Sequence, residues 1–137
     1  MTNRLSPHGL RALTAIGVSA AGVFAAMVAA PPAEAVVTRV GVMPDINFGF
    51  DTNYGTGCSH TVEAILTEAV TPVTFYDNGV PFATVPPSGG VALVTWVPST
   101  TGLHTLRAVQ GVDTGAYVQV EVGEGVHVGY GCLVRLP

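Results

Sequence analysis

From residue 61 to residue 122 the chain alternates apolar and polar side chains with a period of two, interrupted at short intervals by turn residues. In TVEAILT, Val62, Ala64 and Leu66 share one face and Thr61, Glu63 and Thr67 the other, with Ile65 as the exception. In VTFYD, Val73 and Phe75 point inward, and the polar residues Thr74, Tyr76 and Asp77 are expected to face solvent. This is the pattern of strands that bury one face. Asp77-Asn78-Gly79 has the residues of a tight hairpin turn, because Asn and Gly adopt positive φ at little cost. VPFATV then returns as the partner strand, and Pro81 places it at a sheet edge, since proline has no N–H for a ladder. In VALVTWV, Ala92, Val94 and Trp96 form one face while Val91, Leu93 and Val97 line the other with Thr95. His104, Leu106 and Ala108 alternate with Thr105, Arg107 and Val109, and in AYVQVEV the inward Val118, Val120 and Val122 alternate with Tyr117, Gln119 and Glu121. The VEAILTEA stretch has a trace of helical period, but its neighbours are strands and its Thr and Val suit a sheet. Trp96, the sole tryptophan, is the expected anchor of the core, with Phe75 and Leu106 inward beside it.

These segments make six strands, and INFGF at Ile46 to Phe50 is expected to supply the first strand of a set of about seven. So many short antiparallel strands within about eighty residues describe a two-sheet sandwich. The turns sharpen this picture. The stretch VTFYDNGVPFATVPPSGGVALVTWVPSTTGLHTLRAV, from Val73 to Val109, resembles the bacterial immunoglobulin-like domain of secreted and cell-surface proteins. The resemblance spans residues 61 to 122 and implies an all-β, immunoglobulin-like, two-sheet antiparallel β-sandwich, here with an extra C-terminal strand. It implies little about function, because sandwiches of this kind carry adhesion, spacing and ligand-binding roles alike.

Ahead of this domain, Arg4 and Arg11 precede an uncharged run from Ala12 to Ala30, and Ala33-Glu34-Ala35 presents small residues at a cleavage position. Residues 1–35 are therefore expected to be a secretory signal peptide, with the mature domain spanning 36–137. A retained anchor is the alternative, but the run is rich in Ala and Gly and is followed at once by Pro31-Pro32. No Arg-Arg pair marks the twin-arginine route and no Cys ends the segment for lipidation. After cleavage no membrane span is expected, and the destination is extracellular or the cell wall. The Ala-, Gly- and Pro-rich composition is compatible with an actinobacterial source.

Charge narrows the partners. Residues 36–137 contain Arg39, Arg107 and Arg135 against eight carboxylates, net −5, and no Lys. Nucleic acid is not expected as a partner, because phosphates are held by clustered Lys and Arg. The two cysteines, Cys58 and Cys132, are expected to form a disulfide in an exported chain. Free thiols or a metal site are the competing readings. Cys58 precedes the second strand and Cys132 follows the last, so this bridge would tether the tail VHVGYGCLVRL to the body instead of joining the two sheets through the core. Family modules also usually occur in tandem, and this chain shows one.

No constellation for catalysis stands out. Ser59 and His60 are adjacent in a strand, with Asp51 nearby, but adjacent strand residues face opposite ways. His60, His104 and His127 match no zinc spacing, so no metal and no cofactor is expected. His104 by parity faces inward, and His60 and His127 flank the cysteines. Asp45, Asn47, Asp51 and Asn53 place oxygens close together without the dense acidic run of a calcium loop. The Gly-rich pieces Tyr54-Gly55-Thr56-Gly57 and Gly123-Glu124-Gly125 open no helix and are expected to be turns.

What remains is a surface. Tyr76 and Tyr117 point outward and form, with Leu93 on the apolar second face of its strand, the candidate binding surface. That second face is either covered by the tail or a loop, or is itself a contact patch. The function expected is a non-enzymatic secreted module at the cell envelope, monomeric or weakly oligomeric, interacting with a protein or a cell-wall glycan. The alternatives are an immunoglobulin-like apoprotein that sequesters a small molecule, like those that hold enediyne chromophores, and a protease inhibitor presenting Pro86-Pro87-Ser88-Gly89-Gly90.

Overall fold

The period-two pattern becomes ten strands in the computed structural model, which describes residues 35–136. They are β1 (Val37–Met43), β2 (Asn47–Gly49), β3 (Tyr54–Gly55), β4 (His60–Leu66), β5 (Val73–Asp77), β6 (Val80–Val85), β7 (Val91–Trp96), β8 (Gly102–Gln110), β9 (Ala116–Val128) and β10 (Gly131–Arg135). No helix occurs among the described residues. The expected signal segment, apart from its last residue Ala35, lies outside them.

One sheet has the order β1-β4-β7; the other runs β2-β10-β9-β8-β5-β6, with β3 paired to β9. Counting along the sandwich proper, the first, second and fifth strands face the third, fourth, sixth and seventh. This is an immunoglobulin-like β-sandwich. Its ladders are antiparallel except for the short parallel pairs β2/β10 and β3/β9. The two inner faces bury Val62 and Ala64 of β4, Ala92 and Trp96 of β7, Phe75 of β5, Leu106 and Ala108 of β8, and Val120 and Val122 of β9. Asn78 and Gly79, both at positive φ, turn β5 into β6, which ends the sheet as an edge.

Three expectations need correction. INFGF does not open the sandwich: only Asn47–Gly49 is strand, added in parallel to β10 at the sheet end. The first sandwich strand is β1, in which the register shifts between Val37 and Arg39, so that the buried residues are Val37 and Val40 and the period of two is lost. Neither Gly-rich piece is simply a turn: Gly123-Glu124-Gly125 is the middle of the long strand β9, and Tyr54–Gly55 is the short strand β3 paired to it, so that only Thr56 and Gly57 turn. A Cβ at Gly123 would strike the Arg135 carbonyl, and one at Gly125 would strike the Thr56 carbonyl and Cys58 Sγ. These glycines mark close backbone approach, one of the two things glycine can mean inside a strand. Asp77, third, it falls to the inside: it shares the parity of Val73 and Phe75, and its carboxylate hydrogen-bonds Trp96 and His104.

Cys58 and Cys132 are bonded, with Cα atoms 6.1 Å apart, and both are buried. The bridge joins the turn before β4 to β10, beside the main core cluster rather than within it. It holds the C-terminal hairpin β9/β10 against the body.

Candidate functional site

On the outer face of the larger sheet, Tyr76 of β5 stands directly opposite Arg107 of β8, and Arg107 stands opposite Tyr117 of β9. Strand pairing thus places Tyr76 and Tyr117 on either side of Arg107, in a row that crosses three strands. The rings' backbones are two strand spacings apart, about 10 Å. Tyr117 is 67% exposed. One shallow groove of about 630 Å³ is lined by Tyr76, Asn78, Thr105, Arg107 and Val109. A second, of about 570 Å³, is lined by Thr105, Arg107, Thr114, Tyr117 and Gln119. Thr105 and Arg107 form the ridge between them.

The polar groups of this face are held in place. Arg107 donates from Nε to the Thr114 carbonyl at 2.7 Å, and Nη2 donates to the same oxygen. Gln119 Nε2 donates to Thr105 Oγ1 at 3.1 Å, and the Thr105 N–H donates to Asn78 Oδ1 at 2.9 Å. The Thr114 carbonyl reaches Arg107 because the β8–β9 loop folds tightly back through Gly111 and Gly115, both at positive φ. Among the described residues no carboxylate forms an ion pair with Arg107.

Leu93 does not belong to this face. It lies on β7 in the other sheet, opposite Glu63, and is 54% exposed. The tail does not cover it, because β10 adds to the larger sheet. Of the covers expected for that apolar second face, a tail or a loop, the tail is therefore ruled out. Arg107 was visible in the sequence only as one outward residue among others. The pairing register, which the sequence does not display, gives it its place between the tyrosines.

Two of the histidines, His60 and His104, serve the interior. Rings of Tyr54, His60, Trp96 and His104 form a ladder at one end of the core, with successive centroids 5.4 to 5.5 Å apart. His60 is 0% exposed, and burial pushes its pKa down. Asn47 Nδ2 is 3.1 Å from its Nδ1, which leaves Nε2–H to donate to the Gly55 carbonyl at 3.3 Å. Burial likewise raises the Tyr54 phenol, whose hydroxyl donates to the Val42 carbonyl. His104 Nδ1 is 2.7 Å from Asp77 Oδ1, while its Nε2 meets Thr100 Oγ1 at 3.1 Å and the Thr100 carbonyl at 3.0 Å. This acid–imidazole–hydroxyl line was not foreseen. With His104 only 3% exposed and Trp96 also bonded to Asp77, the line ties the two sheets together at the end of the core, while its Thr100 end is exposed beside a groove of about 410 Å³ lined also by Asp77, Phe82 and Val97.

Of the residues considered for calcium, Asp45 and Asn53 have side-chain oxygens engaged within the chain. Asp45 accepts from Thr61 Oγ1, Asn53 Oδ1 accepts from the Gly49 N–H, and Asn47 donates to the carbonyls of Pro44 and Ser59. His127 Nε2 lies 3.0 Å from the Gly57 carbonyl and its Nδ1 3.6 Å from Cys132 Sγ. Among the described residues no group of three or more His, Cys, Asp or Glu side chains is placed to hold a metal ion. The Pro86–Gly90 segment is a closed turn rather than a protruding loop: Ser88 and Val91 exchange two backbone hydrogen bonds across Gly89 and Gly90.

No family model and no curated protein matches this chain. Among solved structures it is similar to the CARDB domain of a Pyrococcus furiosus protein, crystallised in complex with di-metal ions. That match has 15% identity and a TM-score of 0.44, covering 74% of this chain and 94% of that one. A solution NMR structure of the same domain matches at 16% identity and a TM-score of 0.38, over 61% of this chain and 93% of that one.

Proposed function

We propose that this chain is a secreted, non-enzymatic immunoglobulin-like module of the cell envelope, of the bacterial type that its sequence resembles, and that it binds a cell-wall glycan on the outer face of the larger sheet. The observation that carries this reading is the Tyr76–Arg107–Tyr117 row. Tyrosine rings offer flat apolar faces to the C–H groups of a sugar while their hydroxyls stay in water, and arginine and tyrosine are the residues that binding surfaces favour. The groups that line the grooves beside the row, Asn78, Thr105, Thr114 and Gln119, are hydrogen-bonding partners of the kind sugar hydroxyls need. Both grooves are open along the sheet, which suits a polysaccharide chain better than an enclosed small molecule.

Co-sedimentation with purified cell walls tests the reading, using protein produced from the full-length sequence. The wild type is expected in the pellet, and the double variant Tyr76→Ala/Tyr117→Ala in the supernatant with an unchanged Tm. Equal retention of both would place the binding surface elsewhere.

A further inference from the structure

Resting on the glycan-binding reading, we propose that the ligand is an acidic polysaccharide and that Arg107 holds its carboxylate between the two tyrosine rings. The geometry of the guanidinium is the first support. Arginine has five N–H donors. Those of Nε and one on Nη2 are held by the Thr114 carbonyl, which fixes the plane of the group. The remaining N–H groups are left for a partner, and two parallel N–H donors match the two oxygens of a carboxylate. Because the side chain is already ordered, binding loses less of its rotamer entropy.

Charge complementarity is the second support. The domain is acidic, with three Arg against eight carboxylates over residues 36–137, yet the carboxylates nearest this row along the chain are engaged elsewhere or stand apart from it. Asp77, next to Tyr76, points inward to Trp96 and His104. Asp113, next to Thr114, accepts the Val37 N–H. Glu124 is paired with Arg135. Glu121 shares β9 with Tyr117 but stands opposite Leu103, two outward positions away. A cation with a pre-set fork, flanked by rings and unopposed by nearby carboxylates, selects an anionic sugar over a neutral one. A hexuronate unit is such a sugar: its ring can lie on tyrosine and its C6 carboxylate can reach the guanidinium. With the rings about 10 Å apart, each can face its own sugar unit of one chain.

Affinity electrophoresis of the protein produced from the full-length sequence, in gels containing polygalacturonate or the same polymer with its carboxyl groups reduced to alcohols, tests the inference. Polygalacturonate should retard the protein, and the reduced polymer should bind about tenfold more weakly or worse. Arg107→Gln should abolish the preference between the two polymers, while Arg107→Lys, which keeps the charge and loses the fork, should retain part of it. Unchanged Tm values separate lost recognition from lost folding. Equal retardation by both polymers overturns the acidic ligand, and an undiminished preference in Arg107→Gln overturns the role of Arg107; either result leaves the glycan-binding face standing. Retardation by neither polymer overturns the acidic ligand, and co-sedimentation with cell walls then decides the glycan-binding reading by itself.

Discussion

Trp96 Nε1 donates a 2.9 Å hydrogen bond to Asp77 Oδ2, and so links β7 of one sheet to β5 of the other across the end of the core. The second oxygen of the same carboxylate is 2.7 Å from His104 Nδ1. One side chain thereby satisfies two ring N–H groups that are almost entirely shut off from water.

Removing that carboxylate leaves both donors without it. Asp77→Ala is expected to lower unfolding stability by about 2–4 kcal/mol, the range for leaving buried polar groups unpaired. Urea denaturation measures it. Thr74→Ala, which breaks only the exposed Thr74–Thr84 hydroxyl bond, serves as the control and should change stability by about 0.5 kcal/mol or less.

His60 gives the fold an acid sensitivity of its own. Its folded pKa is lowered by burial below the ordinary 6.5, so the unfolded chain takes up a proton that the folded chain refuses. Stability therefore falls as pH drops below about 6.5. Glu68 acts in a separate, lower window: the N–H groups of Thr71 and Val70 hold its carboxylate below the ordinary 4.5, and the stability they confer is lost as pH falls through its folded value. Urea midpoints measured from pH 7.5 to pH 5 should decline in the wild type, and the decline should flatten in His60→Gln. A parallel decline in both proteins would remove His60 as its source.

The Cys58–Cys132 bridge closes a separation of 74 residues. Chain-entropy arguments assign such a loop up to ~4 kcal/mol. Reduction is expected to lower Tm while leaving the strand signature in circular dichroism, because the bridge lies beside the core and not in it. Intact-mass measurement with and without alkylation checks that no free thiol is present before reduction.

Gly125→Ala is expected to be among the most damaging of small substitutions, costing about 1–3 kcal/mol as overpacking does, since the new methyl group meets Cys58 Sγ and the Thr56 carbonyl. Gly41→Ala, with open space around it and no positive φ, should be neutral or slightly stabilising. Thermal melts of the two variants compare them directly.

What was legible in the chain follows from where the period of two is intact. In β4, β5, β8 and β9 each inward residue is two positions from the next, and those strands could be read directly. In β1 a bulge places Val37 and Val40 three apart, and the strand disappears from the pattern. Gly123 and Gly125 carry the residue type of a turn, but their lack of a side chain serves a close approach that depends on residues far away in sequence. The candidate site divides in the same way. Parity turned Tyr76 and Tyr117 outward, yet only the pairing of β5, β8 and β9 brings them to either side of Arg107 and sends Leu93 to the opposite sheet. Asp77 looked like a surface residue by its charge, although its parity with Phe75 pointed inward.

Titration of ¹⁵N-labelled protein with solubilised cell-wall polysaccharide, followed by amide chemical shifts, tests the binding face most directly. The account predicts shifts concentrated on β5, β8 and β9 around Tyr76, Thr105, Arg107 and Tyr117, with Leu93 and Val97 unmoved. Shifts centred on Leu93 and Val97, or none at saturating polysaccharide, would contradict it.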